Sequence, residues 1–153
     1  MLLLCVSMSD PAHGQTGNNY IYNYNIYNGL PSNRIYDIIT DKHGYLWIAT
    51  EKGVVKYNGY EFKVFGTSDG LPTDDVWQLV EDRKGKIWLG NISDQIGYLL
   101  NDHYHKACIK DYSGTVFPQE IRLYNDGIIF KSSHGSDHFS AICTASNDTI
   151  VYQ

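Results

Sequence analysis

Charge is scarce in this sequence, and none of it is concentrated. Charged residues make up 19% of the 153, and 12 Lys and Arg face 17 Asp and Glu, for a net charge of −5. No run of Lys or Arg occurs, so the electrostatic footprint of a nucleic-acid binder is missing. No apolar stretch approaches the roughly 18 residues that a membrane span needs. There is no Gly-x-Ser-x-Gly, no phosphate-binding glycine loop and no His-Glu-x-x-His. His103, His105, His134 and His138 with Cys108 are zinc-type ligands by residue type, but their spacing matches no metal motif, so no metal or other cofactor is expected. Cysteine is rare too, with three in the chain. Cys5 lies in the N-terminal apolar run. Cys108 and Cys143 either pair in an oxidising compartment or stay as two separate thiols.

What is present suits a folded, strand-rich chain. Hydrophobic residues reach 42%, with 13 Tyr and 14 Gly. Tyrosine favours pleated strands and glycine favours tight turns. The first residues, MLLLCVSMSDPAHGQ, hold a short apolar run (Leu2–Met8) and small residues at Ala12-His13-Gly14. This is the pattern of an export signal without its positive start, so residues 1–15 are expected to be a signal-peptide remnant.

The main feature is a phrase written twice. Residues 28–49 read NGLPSNRIYDIITDKHGYLWIA, and residues 69–90 read DGLPTDDVWQLVEDRKGKIWLG. Gly29, Leu30 and Pro31 recur as Gly70, Leu71 and Pro72, 41 residues later. Asp41, Gly44 and Trp47 recur in the same register as Asp82, Gly85 and Trp88. A fixed period of about 40 residues marks a repeat architecture, and four-stranded propeller blades are one such class.

Each repeat reads as four short strands. Arg34–Thr40 is β-branched and aromatic and ends in the turn residues Asp41-Lys42-His43-Gly44. Ile35, Ile38 and Ile39 fall at helical spacing, as do Val76, Leu79 and Val80. Seven residues closed by a turn are too short for a typical helix, and a strand buried on both faces loses strict alternation. Strand is therefore expected. Tyr45–Thr50, Val54–Tyr57 and Tyr60–Phe65 follow, the last two joined by Asn58-Gly59, a strong hairpin signal. The expected fold is an all-β propeller with antiparallel blades and an incomplete ring. Residues 20–25 form a ring-closing strand, 29–65 a first blade, 70–105 a second and 115–153 a degenerate third. Within 16–153 that leaves too few blades for a closed ring, so the chain is expected to be a piece of a longer protein or the product of a broken gene.

The repeated residues have structural roles. Trp47 and Trp88 are expected to pack one blade on the next. Gly44 and Gly85 permit positive φ in the hairpin, and Gly-Leu-Pro sets the path into each blade. Binding residues are sought instead in two loops per blade that share one face and differ between repeats. These candidates are Asn33, Arg34, Glu51 and Lys52 in the first blade, and Asp74, Asp75, Asn91, Asp94 and Gln95 in the second. Each is equally a solvated turn residue. Asp74-Asp75 looks like an acid pair, but Asn33-Arg34 at the same place marks a turn.

Residues 29–62 (Gly-Leu-Pro-Ser-Asn-x-Ile, Asp-x-x-Gly-x-Leu-Trp-Ile-Ala-Thr, Gly-Val-x-x-Tyr-Asn-Gly, Phe) resemble the two-component regulator propeller repeat, and 70–90 resemble it nearly as well. The resemblance covers about 20–105. It implies the periplasmic sensor region of a Bacteroidetes hybrid histidine kinase, with a membrane anchor, kinase and often regulatory domains beyond it. It also implies an oligosaccharide or other small ligand, signalling to the remainder of the same sensor kinase, and a homodimer of the full-length protein. The family's binding residues lie outside its repeat motif, so none is transferred, and no kinase segment is present here. The alternatives are a carbohydrate-active propeller enzyme (a glycosidase or lyase), which needs a carboxylate pair or metal, and a non-catalytic protein-interaction propeller.

Overall fold

The structure is a computed structural model that describes residues 2–6, 20–93, 95–109, 121–124, 127–134, 137–143 and 149–152. Its strands are β1 (Leu2–Val6), β2 (Tyr20–Tyr24), β3 (Ile35–Thr40), β4 (Leu46–Thr50), β5 (Gly53–Tyr57), β6 (Phe62–Phe65), β7 (Val76–Glu81), β8 (Ile87–Asn91), β9 (Gly97–Leu100), β10 (His103–Lys106), β11 (Cys108–Ile109), β12 (Ile121–Tyr124), β13 (Gly127–His134), β14 (Asp137–Cys143) and β15 (Thr149–Tyr152). Strands β3 to β6 form one four-stranded antiparallel sheet in sequence order, and β7 to β10 form a second. These are the two blades. Short 3₁₀ turns, Ile26–Asn28 and Thr67–Asp69, precede them.

The helical spacing in the first strand of each blade has a physical source. The register shifts by one residue between Ile35 and Asp37, and again between Val76 and Gln78. A β-bulge adds one residue to a strand and lets positions three apart share a face. Val76 and Leu79 are accordingly both buried in one apolar cluster.

Both blades turn on the same device. Asp41 Oδ1 accepts the backbone N–H of His43 and Tyr45, each at 2.9 Å, and Asp41 Oδ2 accepts the Trp47 indole N–H at 2.8 Å. Asp82 repeats it with the N–H of Lys84 at 2.9 Å, Lys86 at 3.0 Å and the Trp88 indole at 3.0 Å. Gly44 and Gly85 close these turns at φ of 86° and 82°, where a side chain is strained. Burial pushes the Asp41 carboxyl up, but the Trp47 indole and the two backbone N–H groups outweigh it and hold it below the ordinary carboxylate range.

The tryptophans then pack blade against blade. Trp47, with Ala49, Val54 and Phe65 of the first blade, meets Leu71, Val76, Leu79 and Leu89 of the second. Trp47 stacks on Phe65 at 5.8 Å. Trp88 faces Ile121 and Ile128 of the third sheet in the same manner. The opposite face of the first blade carries Leu30, Ile35 and Ile48, the counterparts of Leu71, Val76 and Leu89, together with Val55. Tyr24 packs there; its hydroxyl lies 2.7 Å from that of Tyr57 and its ring stands edge-on to Phe62. Burial and the Tyr24 hydroxyl push the Tyr57 phenol up to about 12. Strand β2 also pairs antiparallel with β1, from Leu2 opposite Tyr24 to Val6 opposite Tyr20. Residues Ala12, His13 and Gly14 of the expected export signal lie outside the described residues.

The third sheet has five strands, ordered β11-β15-β14-β13-β12. Strands β12 to β15 form an antiparallel meander like the blades, and β11 adds to β15 in parallel. Cys108 lies on β11 and Cys143 on β14, with β15 between them. Two strand spacings of about 4.8 Å put their backbones roughly 10 Å apart. Among the described residues no helix is long and apolar enough to cross a membrane.

Two substitutions test the device. Trp47→Ala is expected to lower unfolding stability by about 3–5 kcal/mol through the cavity it leaves. Asp41→Asn puts an amide N–H against the indole N–H, two buried donors without an acceptor, and is expected to cost about 1–3 kcal/mol. Urea denaturation of both variants checks this, and wild-type midpoints would refute it.

Candidate functional site

The blades have two unlike ends. Opposite Ile35 stand Thr50 and Gly53, and opposite Thr40 stand Leu46 and Tyr57. The lead-in loop (32–34) and the loop after the tryptophan strand (50–52) therefore meet at the first end. The Asp-x-x-Gly hairpins occupy the second.

At the first end, four candidate residues come together. Asn33, Arg34, Glu51 and Lys52 line one depression of about 540 Å³ with Ile26, Pro31 and Ser32. That size suits a small ligand. Glu51 ties the two loops: it accepts the Ser32 hydroxyl at 2.8 Å and pairs with Arg34 Nη1 at 3.0 Å. A side-chain hydrogen bond to Tyr36, then the charge of Glu51, raise the pKa of the Arg34 guanidinium, so it is a fixed positive charge.

The second-blade candidates behave differently. Asp74 Oδ1 accepts the Thr67 N–H at 2.6 Å, as Asn33 Oδ1 accepts that of Ile26 at 3.1 Å. Both repeats thus use this position to hold the 3₁₀ turn. The Asp74 carbonyl accepts the Gly53 N–H at 2.6 Å and joins the blades. A Cβ on Gly53 would strike the Phe65 carbonyl, so only glycine permits that approach. The Asp75 N–H bonds Thr73 Oγ1, while its Oδ1 is buried with no hydrogen-bond partner. Asn91 is buried, with Oδ1 on Ser93, and its Nδ2 has no partner. The Gln95 N–H bonds Ser93 Oγ. Asp94 lies outside the described residues.

Several residues escaped the sequence reading. Asp37 and Gln78, at the bulges, reach the next blade. Asp37 Oδ2 accepts the Leu79 N–H at 2.9 Å. Gln78 brackets Ile121, accepting its N–H at 2.7 Å and donating to its carbonyl at 3.0 Å. Only their common place in the 41-residue register hinted at a shared role. These bonds hold the inner strands together and set the spacing of the loops above.

At the hairpin end, Asp102 of the second blade bridges Lys56 at 2.7 Å and Lys63 at 3.1 Å of the first. Asp102 sits at φ 64°, an unusual backbone for a non-glycine residue that aims its carboxylate between them. Lys56 Nζ also lies 4.4 Å from the Tyr45 ring and 5.2 Å from Trp47. In the second blade Lys86 takes this place, 4.2 Å from Tyr98. His103 and His105 are exposed, and among the described residues no cluster of three or more His, Cys, Asp or Glu could hold a metal ion.

Four-stranded antiparallel blades packed face to face by a tryptophan define a propeller-type all-β fold. Residues 29–52 and 70–93 each match the family described as two component regulator propeller. Among solved structures it is similar to the extracellular domain of a protein assigned as a hybrid two-component system from B. thetaiotaomicron, at 21% identity and a TM-score of 0.60. That likeness covers 87% of this chain and 19% of the other, so the chain spans about a fifth of that domain's length. No curated protein matches the chain.

Acid should loosen the inter-blade ion triad. Burial raises the Asp102 carboxyl, but hydrogen bonds from Lys56 and Lys63 outweigh it and hold it low. A depressed folded-state pKa means the unfolded chain binds the proton more tightly. The contribution is therefore complete above the ordinary aspartate value, about 3.9, and disappears as pH falls through the folded value. Asp102→Asn is expected to lower stability by about 1 kcal/mol at pH 7 and to flatten the acid limb of a stability–pH curve. An unchanged acid limb would exclude the triad as its source.

Proposed function

We propose that this chain is part of the periplasmic, ligand-sensing region of a hybrid two-component sensor that responds to an oligosaccharide. The observation that carries this is the meeting of two regulator propeller repeats as adjacent blades, with the two variable loops of the first blade lining one polar depression. The scaffold residues recur while the loop residues differ, so a rigid frame presents a particular set of hydrogen-bonding groups. A guanidinium, a carboxylate, a lysine and an asparagine line that depression. Alternating donors and acceptors of this kind suit the hydroxyls of a sugar.

In this reading residues 1–15 serve export, residues 20–25 close the ring, and 29–65, 70–105 and 115–153 serve as successive blades. The rest of the same protein anchors it in the inner membrane and carries the kinase. Signalling follows from differential affinity: a ligand that favours one arrangement of the sensor region shifts the population toward it. A homodimer of the full-length protein is the natural relay.

A thermal-shift screen with neutral and acidic oligosaccharides tests the proposal. One sugar class is expected to raise Tm in a concentration-dependent way, by an amount equivalent to about 2.7 kcal/mol at a hundredfold excess over Kd. No sugar should be cleaved. A flat screen across all classes would refute oligosaccharide sensing. Release of new reducing ends would point to a carbohydrate-active enzyme instead.

A further inference from the structure

The inner strands carry an aromatic pair that the repeat pattern leaves unexplained. Tyr36 and Trp77 occupy the same position of the two repeats, on β3 and β7. Their ring centroids are 6.3 Å apart and the planes are inclined by 52°, which makes a shallow V. Tyr36 is 40% exposed and Trp77 is half-buried. Neither is in the apolar clusters that pack the blades. The other two tryptophans, Trp47 and Trp88, are 4% and 1% exposed and belong to those clusters.

Polar groups flank the pair on the loop side. Arg34, with its side chain 66% exposed, pairs with Glu51, and Arg34 and Asp75 stand two residues before Tyr36 and Trp77 at the equivalent place of the two repeats. Arg34 therefore joins the loop depression to the aromatic pair. The charges balance: Arg34 and Lys52 stand against Glu51 and Asp75. A site with no net charge gives an anion no advantage over a neutral ligand.

We propose that Tyr36 and Trp77, with Arg34 and Asp75 at their edge, form the binding subsite for one ring of a neutral saccharide. The apolar C–H face of a pyranose lies against the inclined rings, where both are shielded from water. Its hydroxyls accept from the Arg34 guanidinium and donate to the Asp75 or Glu51 carboxylate. This assignment rests on the saccharide reading above and places the sugar on specific side chains.

Acrylamide quenching of tryptophan fluorescence in the full chain reads the site directly. Trp47 and Trp88 are buried, so the quenchable emission belongs to Trp77, and Trp77→Phe verifies that by removing it. The probes are maltotriose, cellotriose and xylotriose, with trigalacturonate as the acidic comparison. At least one neutral probe is expected to reduce quenching about twofold or more, and Tyr36→Ala to weaken that probe roughly tenfold with an unchanged melting temperature. Arg34→Gln, at an exposed position, is expected to weaken it several-fold, and serves if Tyr36→Ala folds poorly. Protection by trigalacturonate alone would overturn the neutral assignment. A neutral sugar that raises Tm without protecting Trp77 would overturn this subsite while leaving oligosaccharide sensing intact. A panel that changes neither Tm nor quenching would overturn both.

Discussion

One hydrogen bond organises this protein: the indole N–H of a tryptophan to the aspartate six residues before it. Asp41 and Asp82 each gather two backbone N–H groups and one indole, so a single carboxylate closes the hairpin and aims the ring. A buried indole N–H without an acceptor is costly. The bond therefore holds Trp47 and Trp88 in one orientation, and that orientation lays their large apolar faces against the next sheet. It also brings each ring within reach of a lysine, Lys56 in one blade and Lys86 in the other.

Blade-to-blade packing follows from the repeat itself. The face with Leu71, Val76 and Leu89 receives Trp47, and the equivalent residues Leu30, Ile35 and Ile48 present the same kind of surface at the start of the first blade. Polar bonds add direction to this non-directional contact. The bulge residues Asp37 and Gln78 grip the following inner strand, and Asp102 joins the blades at the hairpin end. With both ends so held, the lead-in loops can change their chemistry without moving the frame. This is the physical basis for proposing ligand recognition there.

The matching loop ends of the two blades also show why residue type alone does not locate a site. Asn33 and Asp74 differ in charge but share one task, capping a 3₁₀ turn. Arg34 and Asp75 also occupy equivalent positions, yet Arg34 meets Glu51 across a loop whereas the residue equivalent to Glu51 in the second blade is Ile92. The ion pair therefore has no second copy. The same scaffold yields a charged, open depression in one repeat and buried polar atoms of Asp75 and Asn91 in the next.

The sequence by itself determined the blades. The 41-residue period, the Asp-x-x-Gly-x-x-Trp spacing and the turn residues are local, and local hydrogen bonds with positive-φ glycines close the same hairpin wherever they occur. It also located the loop cluster at Asn33, Arg34, Glu51 and Lys52, since loops that differ on a repeating frame stand out. Tertiary structure alone decided the rest. The helical spacing of Val76 and Leu79 became a strand because a bulge turned both toward one core. Cys108 and Cys143 were separated because β15 lies between them. The Tyr36–Trp77 pair, the Asp102 bridge and the Gln78 clamp join residues roughly 40 positions apart in the chain. Such contacts depend on how one blade is set against another, and that relation is fixed by packing across the sheets rather than by any pattern along the chain.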